Sequence, residues 1–220
     1  RGSATRAGQT NYDDLYADIL LWLEKGWIDY VTPQLYWEHG HALADYDELV
    51  QWWNDHAYGK ALYIGHGIYR AGTNATWRDP NEIPYQIKKL RSLPNTGGSV
   101  YFSSNSFKNN PNGWNDSLQN NYYKNPALLP SLVPQYTMAA PSIEKKTATS
   151  FQISMPKNAL VKSFAIIQKE EGAYSVASIL AADSKMVNLN ALGIQRKAGN
   201  QYWLVAVGLQ NQISEYINIP

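Results

Sequence analysis

Hydrophobic positions follow two different rhythms along the 220 residues. Up to about residue 125, apolar residues at three- and four-residue steps alternate with short continuous apolar runs. From about Met138 onward, apolar and polar positions alternate in short segments. The first rhythm belongs to amphipathic helices placed between buried strands, the second to antiparallel strands with one face in a core. Leu15, Ile19, Trp22 and Leu23 form one stripe that predicts a helix over residues 11–25, ending at Gly26, a residue suited to a left-handed cap. Residues 45–56 and 80–93 repeat the theme, the latter stopped by Pro94. Strand-like runs cover residues 28–37, 61–68 and 99–104.

Helix-start signals recur in this part. Thr10 with Asp13, Asp45 with Glu48, and Asp79-Pro80 with Glu82 each place a capping side chain ahead of an acidic residue, 35 and 34 residues apart, and Asn115 or Asp116 offers a weaker fourth. Helix and strand alternating at that period predict parallel strands joined by helical crossovers. Downstream, strands are expected over residues 150–155, 163–169, 175–180, 186–189, 201–208 and 215–219, a β-sandwich of some 80 residues. Four prolines, Pro126, Pro130, Pro134 and Pro141, punctuate the change, so the expected domains are residues 1–136 and 137–220.

Composition narrows the function. Nineteen Lys and Arg against 18 Asp and Glu leave a net charge of +1, too little to gather nucleic acid, and the absence of Cys removes thiolate chemistry. No stretch approaches the roughly 20 unbroken apolar residues of a membrane span. Aromatic residues are abundant at 13 %, with 8 Trp and 16 Tyr, and 7 of the Trp, all 4 His and 13 of the acidic residues lie upstream. The chain opens on a polar stretch without an initiator Met or signal-like segment, and so reads as processed or cut from something longer.

Parallel βα units bind ligands at the carboxyl ends of their strands. Residues 29–40 are the densest such end: Gln34 offers amide donors and acceptors, Tyr36 and Trp37 flat apolar faces, and Glu38 a carboxylate, a combination suited to a sugar ring. The alternative is that Tyr36 and Trp37 are core aromatics only. At the second strand end, His66, Tyr69 and Arg70 accompany Gly65 and Gly67, whose lack of a side chain permits close backbone approach; His66 binds substrate or shuttles protons, or else is a hydrogen-bonded structural histidine. At the third, Ser104 and Asn105 sit in a Ser-rich cluster that contacts ligand or caps a turn. Glycoside hydrolysis usually needs two carboxylates, and only Glu38 qualifies as catalytic at these rims; Asp45, Asp47, Glu48, Asp79 and Glu82 are explained as helix caps and first-turn acids. Glu38, His39 and His41 cluster as potential metal ligands without a carboxylate on the next strands, so no metal and no cofactor is expected. A Gly-x-Ser-x-Gly elbow is missing.

The phrases Ala7-Gly8-Gln9-Thr10-Asn11-Tyr12-Asp13-Asp14-Leu15-Tyr16-Ala17-Asp18 and Trp27-Ile28-Asp29-Tyr30-Val31-Thr32-Pro33-Gln34-Leu35-Tyr36-Trp37, with Ala44-Asp45-Tyr46, Trp52-Trp53 and Gly98-Ser99-Val100-Tyr101-Phe102-Ser103-Ser104, resemble the glycosyl-hydrolase-like family of bacterial envelope lipoproteins, relatives of xylanase-type barrels. The resemblance covers about residues 1–130. It implies an α/β fold, the last three strands and helices of a (β/α)8 TIM barrel, followed by a fibronectin type III-like sandwich. It also implies an exported protein, periplasmic or anchored to the outer membrane through an N-terminal lipoprotein segment outside this chain. The family's Asp-Asp-Tyr motif, on its fourth strand, has no counterpart here. About 34 residues per unit give fewer than four units, against eight in a closed barrel of about 250 residues. The expectation is a carboxy-terminal portion of a glycoside hydrolase acting on cell-envelope or dietary polysaccharide, inactive alone, whose partners are an oligosaccharide or polysaccharide and either the rest of the barrel or a second copy meeting its open sheet edges. A non-catalytic carbohydrate-binding or structural envelope protein is the alternative.

Overall fold

Three parallel strands organise the upstream part. In the computed structural model, which describes residues 2–131 and 138–220, β1 (Tyr30–Val31), β2 (Ala61–His66) and β3 (Thr96–Tyr101) lie in the order β1-β2-β3. Tyr30 pairs with Ala61, and Ile64 with Ser99, both in parallel. The chain divides into two units, one ending at Tyr122 and the other spanning Tyr123–Pro220. Pro134 and the expected boundary after residue 136 lie outside the described residues.

The strands are joined through α2 (Tyr46–Asp55) and α4 (Glu82–Arg91), with the single turn α3 (Ala75–Arg78) before α4. In α2, Tyr46, Leu49, Val50 and Trp53 fall on one face and are buried, as the 3.6-residue period requires. They meet Leu35, Leu62 and Ile64 of the sheet and Leu23 of α1 (Ile19–Glu24). Beside this core, Ile83 and Ile87 of α4 pack with Ile68, Trp77, Trp114 and Leu118.

Several expected boundaries move. The helix expected over residues 11–25 is confined to Ile19–Glu24 and capped by Asp18. Upstream, Thr10 Oγ1 accepts from the Asp13 N–H at 3.0 Å and Asn11 carbonyl from the Ala17 N–H at 2.9 Å, so the capping chemistry closes a turn rather than opening a helix. Gly26 does end α1: at φ +69° its N–H reaches the Leu23 carbonyl while the Trp27 N–H reaches Trp22, the paired closure of a Schellman motif. Asp45 caps α2 as expected. Asp79 instead binds the Asn81 N–H, and α4 starts at Glu82, with Pro84 in the first turn, where a missing N–H costs nothing. The first strand is far shorter than residues 28–37, because Pro33 breaks it before a lone bridge pairs Gln34 with Gly65.

That bridge depends on glycine. A Cβ on Gly65 would sit 3.0 Å from the Pro33 carbonyl oxygen, and one on Gly67 would sit 3.0 Å from Tyr36 Cβ. The chain after β1 lies directly against the end of β2. The helix-free face of the sheet carries Tyr30 and Tyr63 in an edge-to-face pair at 5.8 Å, together with Val100, and Tyr30 and Val100 are exposed. Among the described residues, β1 and β3 each pair on one side only.

The second unit is a two-layer β-sandwich. One sheet orders β4 (Ser142–Lys145), β5 (Ser150–Ser154) and β8 (Met186–Asn188); the other orders β10 (Ile217–Asn218), β9 (Gln201–Gly208), β6 (Val161–Glu170) and β7 (Ala173–Ala181), all antiparallel. Phe151, Ile153 and Val187 from the first sheet meet Phe164, Ile166 and Leu204 from the second in a shared core. Every expected strand has a counterpart, and β4 is additional. Leu128 packs on the outer face of the four-stranded sheet, against Ala165, Ile167, Val205 and Val207.

Because a methyl group on Gly67 would press on Tyr36 and force that residue to shift, Gly67→Ala is expected to lower unfolding stability by about 1–3 kcal/mol. Urea denaturation of the two chains checks this, and an unchanged midpoint would mean that the strand ends do not pack so closely.

Candidate functional site

The carboxyl ends of all three strands deliver an aromatic ring. Tyr36 follows β1, Tyr69 lies in the short turn after β2, and Phe102 follows β3 directly. Tyr36 stacks on Phe102 with ring centres 6.0 Å apart and planes 24° apart, and Tyr69 meets both edge-on, at 5.8 and 6.0 Å. Tyr69 and Phe102 are exposed; Tyr36 is half-buried, and burial first, then Tyr69, raises its phenol above the ordinary value. The Arg70 guanidinium lies 5.6 Å from the centre of the Tyr69 ring, and its buried Nε–H has no acceptor among the described residues. Phe102 escaped the sequence reading, which stopped at the neighbouring serines. The period-two alternation that puts Tyr101 into the helix-side core sends Val100 and Phe102 to the other face, and that signal was available.

Glu38 lies just past this rim, clamped from two sides. Asn74 Nδ2 donates to Oε1 at 2.8 Å and Trp77 Nε1 to Oε2 at 2.7 Å. Burial alone would raise the carboxyl. Bonds from its own backbone N–H, from Asn74 and from Trp77, with His41 nearby, outweigh burial and hold it below the usual carboxylate range. A carboxylate kept ionised suits a nucleophile, a base or a charge stabiliser, and is the wrong setting for a general acid. Asn74 and Trp77 were not foreseen, since the clamp comes from the connection between β2 and α4, where no motif marks it.

The remaining expected site residues divide. Gln34 is exposed at the rim, its backbone paired with Gly65. Ser104 and Asn105 are exposed in a single turn over Ser104–Phe107, where the Asn105 carbonyl accepts from the Lys108 N–H at 3.3 Å. Trp37 is not presented to the rim: its ring packs on the core shared by α2 and the sheet, and its carbonyl takes a bond from Gln86 Nε2 at 3.2 Å. His66 is fully buried beneath the rim, where no substrate reaches it. The reason is alternation again, with Leu62, Ile64 and His66 all on the helix side of β2.

His66 belongs to a buried polar chain. Gln86 Nε2 donates to Glu82 Oε1 at 2.7 Å, which leaves Gln86 Oε1 to accept from His66 Nδ1 at 2.8 Å. His66 Nε2 then accepts from Ser99 Oγ at 3.0 Å, which fixes a neutral tautomer. Burial pushes the imidazole down to about 4, the Gln86 bond working in the opposite direction. Glu82 receives the His39 backbone N–H at 3.1 Å and pairs with the His39 ring, tying the loop after β1 to α4. Glu82 is therefore more than a first-turn acid, as it is buried with both oxygens engaged.

Glu38, His39 and His41 do not converge on a metal-sized point. His39 faces Glu82, and His41 Nδ1 accepts the Ala44 N–H at 3.1 Å. Among the described residues no group of three possible ligands assembles, and no helix is long and apolar enough to cross a membrane. A cavity of about 270 Å³ lies elsewhere, between the segment before α1 and the Leu49, Trp52 and Trp53 face of α2; none of the rim residues lines it.

Residues 3–81 match the family Glycosyl hydrolase-like 10. This stretch includes Gln34, Tyr36, Glu38, His66, Tyr69, Asn74 and Trp77. Glycosyl hydrolase YngK of Bacillus subtilis is 42 % identical over 150 residues, 66 % of this chain and 29 % of that protein. Glycosyl hydrolase DigH of Escherichia coli K12 is 36 % identical over 110 residues, 46 % of this chain and 25 % of that protein. The chain thus spans less than a third of the length of the curated relatives it matches.

Because His66 is neutral when folded and ordinary when unfolded, its contribution to stability is complete above about pH 6.5 and is lost as pH falls from there to about 4. The shift corresponds to about 3 kcal/mol. Denaturant titrations at pH 7 and pH 4.5 measure the loss, and His66→Gln should remove most of the dependence. An unaltered pH slope in that variant would place the titrating group elsewhere.

Proposed function

We propose that this chain is the carboxy-terminal part of a glycoside hydrolase-like protein acting on cell-envelope or dietary polysaccharide, and that Tyr36, Tyr69 and Phe102 form one wall of its sugar cleft. The observation that carries this reading is the convergence of one ring from each of three adjacent strand ends, where parallel βα folds bind ligands. Pyranose rings offer apolar CH faces to such rings, while the exposed Gln34 supplies an amide for hydroxyls and the Arg70 guanidinium lies beside Tyr69. Ser104 and Asn105 are exposed at the same end of β3. Glu38 serves as the ionised member of a carboxylate pair, and the proton donor comes from another part of the protein.

The parallel β1-β2-β3 order with helical crossovers supports a partial (β/α)8 barrel, and the three-plus-four strand order of the second unit supports a fibronectin type III-like sandwich. The single-sided pairing of β1 and β3 and the exposed Tyr30 and Val100 favour a partner against this sheet, either the preceding part of the barrel or a second copy. An exported, envelope-associated location fits a cell-wall glycan as substrate. Should Glu38 act only as the loop anchor that its two donors make it, the protein is a glycan-binding one without turnover.

Tyr36→Ala and Tyr69→Ala are each expected to weaken binding of the protein to polysaccharide by roughly three- to tenfold, read by affinity electrophoresis through gels containing xylan or soluble cell-wall glycan. Binding equal to that of the unmodified protein across the panel rejects the cleft. Glu38→Gln removes one acceptor from the Asn74 and Trp77 pair and should cost about 1–3 kcal/mol of stability. In the protein extended to its full barrel it should also abolish turnover well below its melting temperature, and retained turnover would assign Glu38 to the anchor alone.

A further inference from the structure

The outer face of the four-stranded sheet in the second unit is not uniform. Along β6 and β9, Ala165, Ile167, Val205 and Val207 are buried on it, with Leu128 packed against them. Toward the end of the face where β6 turns into β7, aromatic side chains come to the surface. Tyr174 of β7 lies 5.7 Å from Trp203 of β9 with planes 34° apart, and Tyr216, just ahead of β10, meets Trp203 edge-on at 6.3 Å. Tyr174 and Tyr216 are 61 % and 49 % exposed, and Trp203 is half-buried. Two rings tilted 34° to each other thus make an uneven shelf and a third makes its wall.

Polar groups border the shelf. Lys169 pairs with Tyr174 across the strands and holds its ammonium 4.9 Å from the centre of that ring. Gln201 pairs with Lys169, and Asn218 with Trp203; both amides are exposed. Alternation puts them on the shelf side, because their sequence neighbours Tyr202 and Ile219 point into the core. Flat rings interleaved with amides and one amine are what a saccharide requires: stacking for its CH faces and donors and acceptors for its hydroxyls. The area argues against a protein as occupant. Three rings at this exposure offer roughly 300 Å², far below the ~800 Å² per partner of a stable protein interface.

We infer that Tyr174, Trp203 and Tyr216, with Lys169, Gln201 and Asn218, form a second glycan-binding platform on the sandwich, separate from the rim of the parallel sheet and suited to holding a polysaccharide strand. The inference rests on the reading of the protein as one that acts on glycans, and it adds a site that does no chemistry. Both tyrosines lie outside the sandwich core, so Tyr174→Ala and Tyr216→Ala leave the fold intact, which a thermal melt verifies.

Pull-down of the whole chain on insoluble cellulose, chitin, xylan and bacterial sacculi provides the test. Each tyrosine variant is expected to lower retention on at least one of these by roughly three- to tenfold and the double variant by more, while Tyr36→Ala leaves that share of binding in place. Retention of the double variant equal to that of the unmodified chain overturns the platform, as does failure of the chain to bind any of the four. Loss only in Tyr36→Ala overturns the platform and leaves the cleft standing; loss only in the tyrosine variants does the reverse. Dissociation of a dimer by Tyr174→Ala in sedimentation would also overturn it.

Discussion

A run of buried hydrogen bonds beneath the strand ends holds the candidate site in shape. Ser99, His66, Gln86, Glu82 and the backbone of His39 belong to β3, β2, α4 and the loop after β1, and each is satisfied by the next. Buried polar groups without partners are costly, whereas a fully satisfied chain admits one arrangement of the elements that carry it. Gln86 also grips the Trp37 carbonyl, so the backbone between Tyr36 and Glu38 is fixed from below. The surface chemistry inherits its position from this interior arrangement. A neutral His66 is part of that requirement, since an imidazolium would lose its acceptor role toward Ser99 and would have to carry its charge without water.

Above that support the two kinds of group are separated by function. The rings of Tyr36, Tyr69 and Phe102 present apolar area with little conformational entropy to lose, and Glu38 is held charged by donors that leave its remaining lone pairs open. The sandwich repeats the aromatic theme at Tyr174, Trp203 and Tyr216, bordered by an amine and two amides instead of a clamped carboxylate.

Much of the architecture was legible because it depends on periodicity. Period 3.6 marked α2 and α4, period two marked the sandwich strands, and Gly26 marked the end of α1. What was illegible depends on partners distant in sequence. Thr10 and Asp13 have the spacing of a helix cap, yet the chain uses them to close a turn. His66 looked like a rim residue because it ends its strand; only its register, on the same side as Leu62 and Ile64, buries it. Glu82 looked like a first-turn acid because its bond to His39 spans 43 residues. Trp37 and Tyr36 are neighbours of similar chemistry in the segment beyond β1, and no strand period there marks which one turns inward and which stays at the rim.

The three rings come from the connections beyond the strands rather than from the strands themselves. Strands spaced at about 4.8 Å put the ends of β1 and β3 about 10 Å apart, yet Tyr36 and Phe102 lie 6.0 Å apart, about as close as either lies to Tyr69. The connections therefore close a gap that the sheet leaves open, and a change in the length of any one of them would move its ring out of the triangle.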